Sequence, residues 1–362
     1  MEVVYERCAG LDVHKKSVVA CRLRGSGVGR EKEIKSFGTT TRELLKLSDW
    51  LKEWECSHVA MESSGDYWKP IYNILEGEFE VVLVNAKHIK HVPGRKSDVK
   101  DAEWLADLLQ HGLLKGSFIP PKGQRELREL TRYRRKLIQE KAREINRVQK
   151  VLEGCNIKLS SVVSDVMGAS GRSILDAIVS GERDARKLAQ LAKGRARGKL
   201  AQLEEALEGF VEEHHRFLLA RQLAHIDFLH QQIEILNDRI ESHIREMSQS
   251  PPSEGVGCIR EQEAIELLDT IPGINRRIAE VIVAEVGVDM SRFGCASHLA
   301  SWAGLAPGNN ESGGKHYGGR TKKGNEVLRS ALVQAAWGAV RVKDSYLSAQ
   351  YHRLAARRGN KR

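Results

Sequence analysis

Asp12, Glu62, Asp98 and Asp101 are the side chains of this sequence whose type and placing suggest chemistry. Asp12 stands in Gly10-Leu-Asp-Val-His-Lys and Glu62 in Met61-Glu-Ser-Ser-Gly-Asp-Tyr-Trp. Asp98 and Asp101 stand in Lys96-Ser-Asp-Val-Lys-Asp-Ala-Glu-Trp-Leu-Ala. The chain around them is basic, with a net charge of +10 and a pI of about 9.3. Carboxylates gathered inside a polyanion-binding protein repel the substrate unless a divalent cation lies between them. Magnesium prefers carboxylate oxygens, and two such ions about 3.5–4 Å apart stabilise the attacking and leaving oxygens of a phosphoryl displacement. The economical reading is metal-dependent chemistry on nucleic acid phosphates. Each acid alone also has a plain reading. Asp98 and Asp101 favour the positive end of a helix, and Asp12 and Glu62 can be solvated strand ends.

Four carboxylates converge only if separate elements bring them together. Residues 8 to 24 read as two strands with a tight connection, and Glu33 to Phe37 as a third. Thr41 to Trp54 has helical spacing, with Thr40 or Thr41 as its cap. His58 to Met61 is a short apolar strand ending at Glu62, Trp68 to Leu75 a helix, and Glu80 to Val84 a strand suited to a sheet covered on both faces. Ser97 then caps a helix through His111, which puts Asp98 and Asp101 one turn apart on one face. The order β-β-β-α-β-α-β-α is that of an RNase H-like domain.

Composition narrows the function classes. The chain has 362 residues, enough for two or three domains. Its positive excess attracts nucleic acid or anionic membrane surfaces. No apolar run approaches the length of a spanning helix and Met1 to Lys16 carries no signal-peptide core, so membrane is the weaker option. The six cysteines show no C-x-x-C spacing. That argues against a zinc site or a disulfide framework and for reduced thiols in the cytoplasm.

From Lys122 the character changes. Gln124 to Glu153 reads as one long helix with an apolar stripe, flanked by cations that include Arg125, Arg128, Arg132, Arg135, Lys136, Arg143 and Arg147. A charge-rich helix is often only a solvated face. Here few acids accompany the cations, which favours phosphate binding. Residues 201 to 248 are helical, and Ile226, Leu229, Ile233, Leu236 and Ile240 form a heptad seam. The seam can pair within the chain against 127 to 152 or between two copies. Gln231, Gln232, Asn237 and His243, read as a polar rim, favour the second. Ser248 to Gly257 is the clearest linker. The expected domains are therefore 1–121, 122–257 and 258–362: α/β first, then a helical or coiled-coil middle, then a mainly helical C-terminal domain.

In that last part, Leu268-Asp-Thr-Ile-Pro-Gly-Ile-Asn-Arg-Arg-Ile-Ala has the form of a helix-hairpin-helix. Gly273 lies in the sharp turn, and the next helix start can bind a phosphate. An ordinary interhelical turn is the alternative. Trp302 to Arg329 then forms a glycine-rich basic loop, with Ser312, Lys315, Tyr317, Arg320, Lys322 and Lys323, feeding a small-residue helix at Val327 to Val340.

The three acidic motifs, with this loop, resemble the DEDD transposases of bacterial insertion sequences, whose N-terminal domain is similar to the RuvC Holliday-junction resolvase. Ser97 stands where Thr is more usual. The resemblance is firm over residues 8–150 and 265–345. It implies that Asp12, Glu62, Asp98 and Asp101 are a tetrad binding Mg2+. It further implies that Ser312 is the nucleophile, forming a covalent phosphoserine while DNA strands are cut and rejoined. Activation by nearby metal and neutralisation of phosphate by Lys315, Arg320, Lys322 and Lys323 fit a weakly nucleophilic hydroxyl. Tyr317 is the rival nucleophile, and a turn-forming loop serine is the plain reading. The resemblance also implies dimers assembling to tetramers and a structured non-coding guide RNA, the bridge RNA, pairing with donor and target DNA. The competing function is a RuvC-like hydrolytic junction resolvase or nuclease.

Overall fold

Two stretches of alternating apolar residues begin the fold. β1 (Arg7–Val13) and β2 (Ser17–Arg24) pair antiparallel, and β3 (Glu31–Gly38) extends them on the far side of β2. The structure, a computed structural model, describes residues 2–63, 65–85, 98–249, 259–308, 311–316, 321 and 323–359. The chain divides into two units, Met1–Ile119 and Pro120–Arg362.

In the first unit, β4 (His58–Glu62) and β5 (Glu80–Val84) run parallel to β1, giving the sheet order β3-β2-β1-β4-β5. Helices α1 (Thr41–Glu53) and α2 (Trp68–Leu75) cover one face, burying Leu11, Leu44, Leu47, Leu51, Met61, Ile71 and Leu75 in a shared core. Helix α3 (Asp98–Gln110) covers the other through Ala102, Ala106 and Leu109. Each fully buried aliphatic chain contributes about 1.5–3 kcal/mol. The expected order β-β-β-α-β-α-β-α is the one observed, and the strand at 80–84 is packed on both faces although it ends the sheet. Thr40 occupies the cap position of α1, but its side chain makes no capping bond. Ser97 lies outside the described residues. Burial pushes the thiols of Cys8 and Cys21 up to about 12 and that of Cys56 up to about 11, so these cysteines are inert packing groups.

The second unit is built on two long antiparallel helices, α4 (Lys122–Gly154) and the helix that closes the middle region. Between them come the short helices α5 (Leu159–Val162), α6 (Ala169–Val179), α7 (Ala185–Gln190) and α8 (Leu200–Leu207). The closing helix, α9 (Glu213–Gln249), follows a break at 208–212 that sequence periodicity had bridged. The short helices bury Ile174, Leu175, Ile178, Leu188 and Leu203 against Val148, Leu152, Leu219 and Leu223. Helices α10 (Glu261–Asp269) and α11 (Arg276–Val286) share a core with Leu127, Ile240 and Ile244 at the other end. Helices α12 (Ala296–Trp302), α13 (Glu326–Arg341) and α14 (Tyr346–Arg358) follow. The helical middle and the C-terminal segment are thus joined through one apolar core.

The heptad seam, expected to pair between copies, is filled within the chain. Leu137 packs against Leu229 and Ile233, and Leu127 against Ile240, all within one chain. The residues read as a polar rim are partly core. Asn237 is buried and accepts from Arg134 Nη1 at 3.2 Å, and buried His243 meets the Gly123 carbonyl at 2.9 Å. Most of the linker at 248–257 lies outside the described residues. Among the described residues, no helix is long and apolar enough to cross a membrane.

Candidate acid site and hydroxyl loop

The register of two parallel strands brings the first acids together. Leu11 of β1 stands opposite Met61 of β4, so the next residues, Asp12 one short of the end of β1 and Glu62 at the end of β4, lie side by side. Leu11 and Met61 face the α1 and α2 core, so by alternation Asp12 and Glu62 face the side that α3 covers. Asp12 is nearly buried, at 9% exposure, and its Oδ2 lies 3.0 Å from His14 Nε2.

Gly10 explains how the other two acids reach the same end. A Cβ at Gly10 would lie 2.3 Å from the Ala102 carbonyl oxygen and 2.4 Å from the Ala106 nitrogen, so α3 rests directly on the β1 backbone. The C-terminal end of α3 is fastened near the start of β1, where Val4 and Tyr5 donate to the Gln110 carbonyl. The helix therefore runs antiparallel to β1, and its first turn, with positions 98 and 101, lies towards Asp12 and Glu62. Asp101 is half-buried; the side chain of Asp98 lies outside what is described. The donor set is all carboxylate apart from His14, which suits a hard cation such as Mg2+. Sequence reasoning missed His14 and Gly10, although the Asp-x-His spacing and a glycine inside an apolar strand were both visible.

A second cluster of metal-ligating types occurs among the described residues at Glu212, His214 and His215, with ligand atoms within 4.8 Å of one another. Its contacts are those of a helix start. His215 Nδ1 accepts the Glu212 backbone N–H at 3.2 Å, which closes the first turn of α9 as a capping box does.

In the second unit, β6 (Glu311–Ser312) and β7 (Lys315–His316) form a minimal hairpin with Ser312 paired to Lys315. Gly313 and Gly314 make the turn with φ of +57° and +74°, a conformation that selects glycine at both positions. Lys315 and Lys323 are exposed. Tyr317, Arg320 and Lys322 lie outside the described residues, as does the Ser312 side chain.

The cations of α4 divide into two sets. Arg132 grips the Glu285 carboxylate through Nε and Nη2 at 2.7 and 2.9 Å. Arg128 donates to the Glu285 carbonyl at 2.8 Å and lies 3.4 Å from its carboxylate. Arg134 meets Glu280 at 2.5 Å, both buried, and Arg135 donates to Ser330 at 2.9 Å. Arg125 donates to the Pro120 carbonyl and Arg147 pairs with Glu144. Lys136 and Arg143 are exposed. Internal pairing thus occupies several arginines that the sequence assigns to phosphate. Glu280 and Glu285, which receive Arg128, Arg132 and Arg134, lie over a hundred residues downstream, beyond the reach of local charge counting.

Gly273 has φ +88°, and a Cβ there would lie 2.2 Å from the Ala335 carbonyl oxygen of α13. The glycine is required by this close helix packing whether or not the turn also meets a phosphate.

Comparison with known proteins falls on both units. A DEDD transposase model of IS110 type matches residues 9–157, and a model described as "Transposase IS116/IS110/IS902 family" matches residues 265–352. The mini-circle putative transposase for IS117 of Streptomyces coelicolor is 35% identical over 96 residues. That match covers 26% of this chain and 23% of the relative, so the chain spans about a quarter of its length. The insertion element IS116 uncharacterized 44.8 kDa protein of Streptomyces clavuligerus is 26% identical over 293 residues, 72% of this chain and 68% of its own. T. thermophilus RuvC in complex with a Holliday junction substrate aligns over 31% of this chain and 100% of its own. Its identity is 13% and its TM-score 0.24, a likeness that carries no argument. With both stretches matched to models of one kind, the chain belongs to the IS110/IS116/IS902 family of insertion-sequence transposases.

Proposed function

We propose that the chain is the recombinase of an insertion sequence, cutting DNA strands and rejoining them through Ser312 with Mg2+ held by Asp12, Glu62, Asp98 and Asp101. The observation that carries this reading is the strand register that sets Asp12 and Glu62 side by side near the ends of β1 and β4, towards the first turn of α3. Bound Mg2+ supplies positive charge for the phosphate under attack. Asp12 and Glu62 bind on fixed strand ends, while Asp98 and Asp101 complete the donor set from a helix start. His14 orients the Asp12 carboxylate.

The chemistry is a transesterification. The Ser312 oxygen bonds to phosphorus, the bond from phosphorus to the leaving sugar oxygen breaks, and the hydroxyl proton ends on that oxygen. Attack by another strand's sugar hydroxyl on the phosphoserine reverses the step and restores Ser312. No phosphodiester bond is lost to water. Lys315, Lys323, Arg320 and Lys322 neutralise phosphate oxygens near the hairpin, and Lys136 and Arg143 meet nucleic acid backbone along α4. The Pro272-Gly273 turn is a further backbone contact.

The partners in this reading are donor and target DNA and a structured guide RNA, for which the family resemblance is the support. Assembly as dimers and tetramers belongs to the same reading. Since α4 fills the heptad seam, a second copy would use another face, and α9 leaves Phe217, Phe228 and Ile235 exposed. Free buried thiols at Cys8, Cys21, Cys56 and Cys155 suit the reducing cytoplasm.

Ser312→Ala tests the reading on DNA carrying the element's junctions. A recombinase of this kind loses both cleavage and strand exchange. A hydrolytic resolvase keeps cutting, and that result would replace the proposal.

A further inference from the structure

Both ends of the segment that carries Ser312 meet at a neck. Gly324 packs on the backbone of Ala303 and Gly304 so closely that a Cβ would lie 2.3 Å from the Gly304 nitrogen. Beside it, the Asn325 N–H donates to the Trp302 carbonyl at 3.1 Å. The Asn325 side chain acts in two directions. Its Oδ1 accepts from Val327 and Leu328, each at 3.1 Å, and caps α13. Its Nδ2 donates to Glu285 Oε2 at 2.7 Å. Glu285 is 1% exposed and is the same carboxylate that Arg128 and Arg132 hold from α4.

We infer that Glu285 and Asn325, backed by Arg128 and Arg132, form a clasp that positions the Ser312 hairpin for attack on DNA. The inference rests on the Ser312 reading above and gives these residues a positioning role.

A buried carboxylate is costly unless its oxygens are paired, and here three side chains pair them. Capping α13 needs only the Asn325 oxygen. The bond from its nitrogen adds nothing to the helix and instead ties the loop's return point to α11 and α4. A nucleophile needs that kind of fixing, since misplacement by about 1 Å can cost about a hundredfold in rate. Arg128 and Arg132 then serve the loop instead of phosphate.

Two substitutions open the neck from different sides. Asn325→Ser keeps a capping oxygen and removes the donor to Glu285. Gly324→Ala forces the backbones apart. In the full chain, both should speed hydrogen exchange across residues 303–324 by about tenfold and leave the α4 and α9 amides unchanged. DNA affinity should stay within about twofold while cleavage slows by about tenfold or more. Glu285→Gln, which keeps an acceptor for Asn325, should retain more cleavage than Glu285→Ala. Arg132→Gln separates the two roles of that arginine. A phosphate contact would lower the slope of log affinity against log salt by about one, whereas the clasp leaves the slope unchanged and slows cleavage. Unchanged exchange in both neck variants overturns the clasp, and so does faster exchange with cleavage at the wild-type rate. Full cleavage by Ser312→Ala would instead defeat the Ser312 reading, and the exchange result would still decide whether the neck is held as described.

Discussion

The acid site and the hydroxyl loop are held by opposite means. Around Asp12 the fixing is done by backbone: paired strands, a register, and a helix seated on Gly10 with no side chain between. Around the loop of Ser312 it is done by charge, with Glu285 gathering Arg128, Arg132 and Asn325, and Glu280 taking Arg134 nearby. Backbone fixing tolerates changes of charge and fails on changes of volume. Charge fixing does the reverse, because an ion left alone in a buried site has no solvent to take it.

The largest expected effect is on activity. Asp12→Asn, Glu62→Gln or Asp101→Asn should abolish strand exchange, a loss of at least about 10³-fold, with near-native melting and nucleic acid binding measured by titration. A collapsed fold in these variants would show the acids to be structural and break the contrast. In the charged region, Glu280→Ala leaves Arg134 buried without its counter-charge, since both side chains are almost fully enclosed. Denaturant unfolding should register a loss of about 3–5 kcal/mol in the second unit. Gly10→Ala, a single added methyl group against the α3 backbone, should cost about 1–3 kcal/mol and slow strand exchange together. If it proves silent, α3 is not seated as described.

The smallest effect belongs to an exposed pair, which marks where charge ceases to matter. Arg172 grips Asp227 through two bonds of 2.6 and 2.7 Å, yet Asp227 is more than half exposed. The bond to Arg172 holds the Asp227 carboxyl below its ordinary value of 3.8. A lowered native pKa gives stability that is present above the unfolded value and lost as pH falls through the native one. Arg172→Gln should therefore cost less than about 1 kcal/mol at neutral pH, and in an acid titration the difference from wild type should begin to shrink as pH falls past 3.8 and be lost below it, as pH passes through the lowered native value.

The same contrast explains what could be read from sequence. The placing of the acids was legible because strand alternation and helix spacing are local, and Asp12, Glu62, Asp98 and Asp101 each lie near the end of an element that its neighbours announce. The loop's supports were not legible. Glu280 and Glu285 look like the solvated face of an ordinary helix, and their partners on α4 look like a phosphate-binding stripe. Asn237 and His243 misled for the same reason: a polar residue on a heptad helix reads as rim until Arg134 and the Gly123 carbonyl are seen to receive it. Gly273 could be recognised as a turn, but its packing against Ala335 belongs to tertiary structure.

In the proposed recombinase the carboxylates of the first unit and the hydroxyl of the second serve one reaction. Peptide mapping of the protein after incubation with junction DNA and Mg2+ tests this. A phosphodiester-linked nucleotide is expected on Ser312 in the wild type, and none in Asp12→Asn, in Ser312→Ala or with Mg2+ removed. DNA cut to free ends by the wild type, with no adduct on Ser312 and equal cutting by Ser312→Ala, would contradict it.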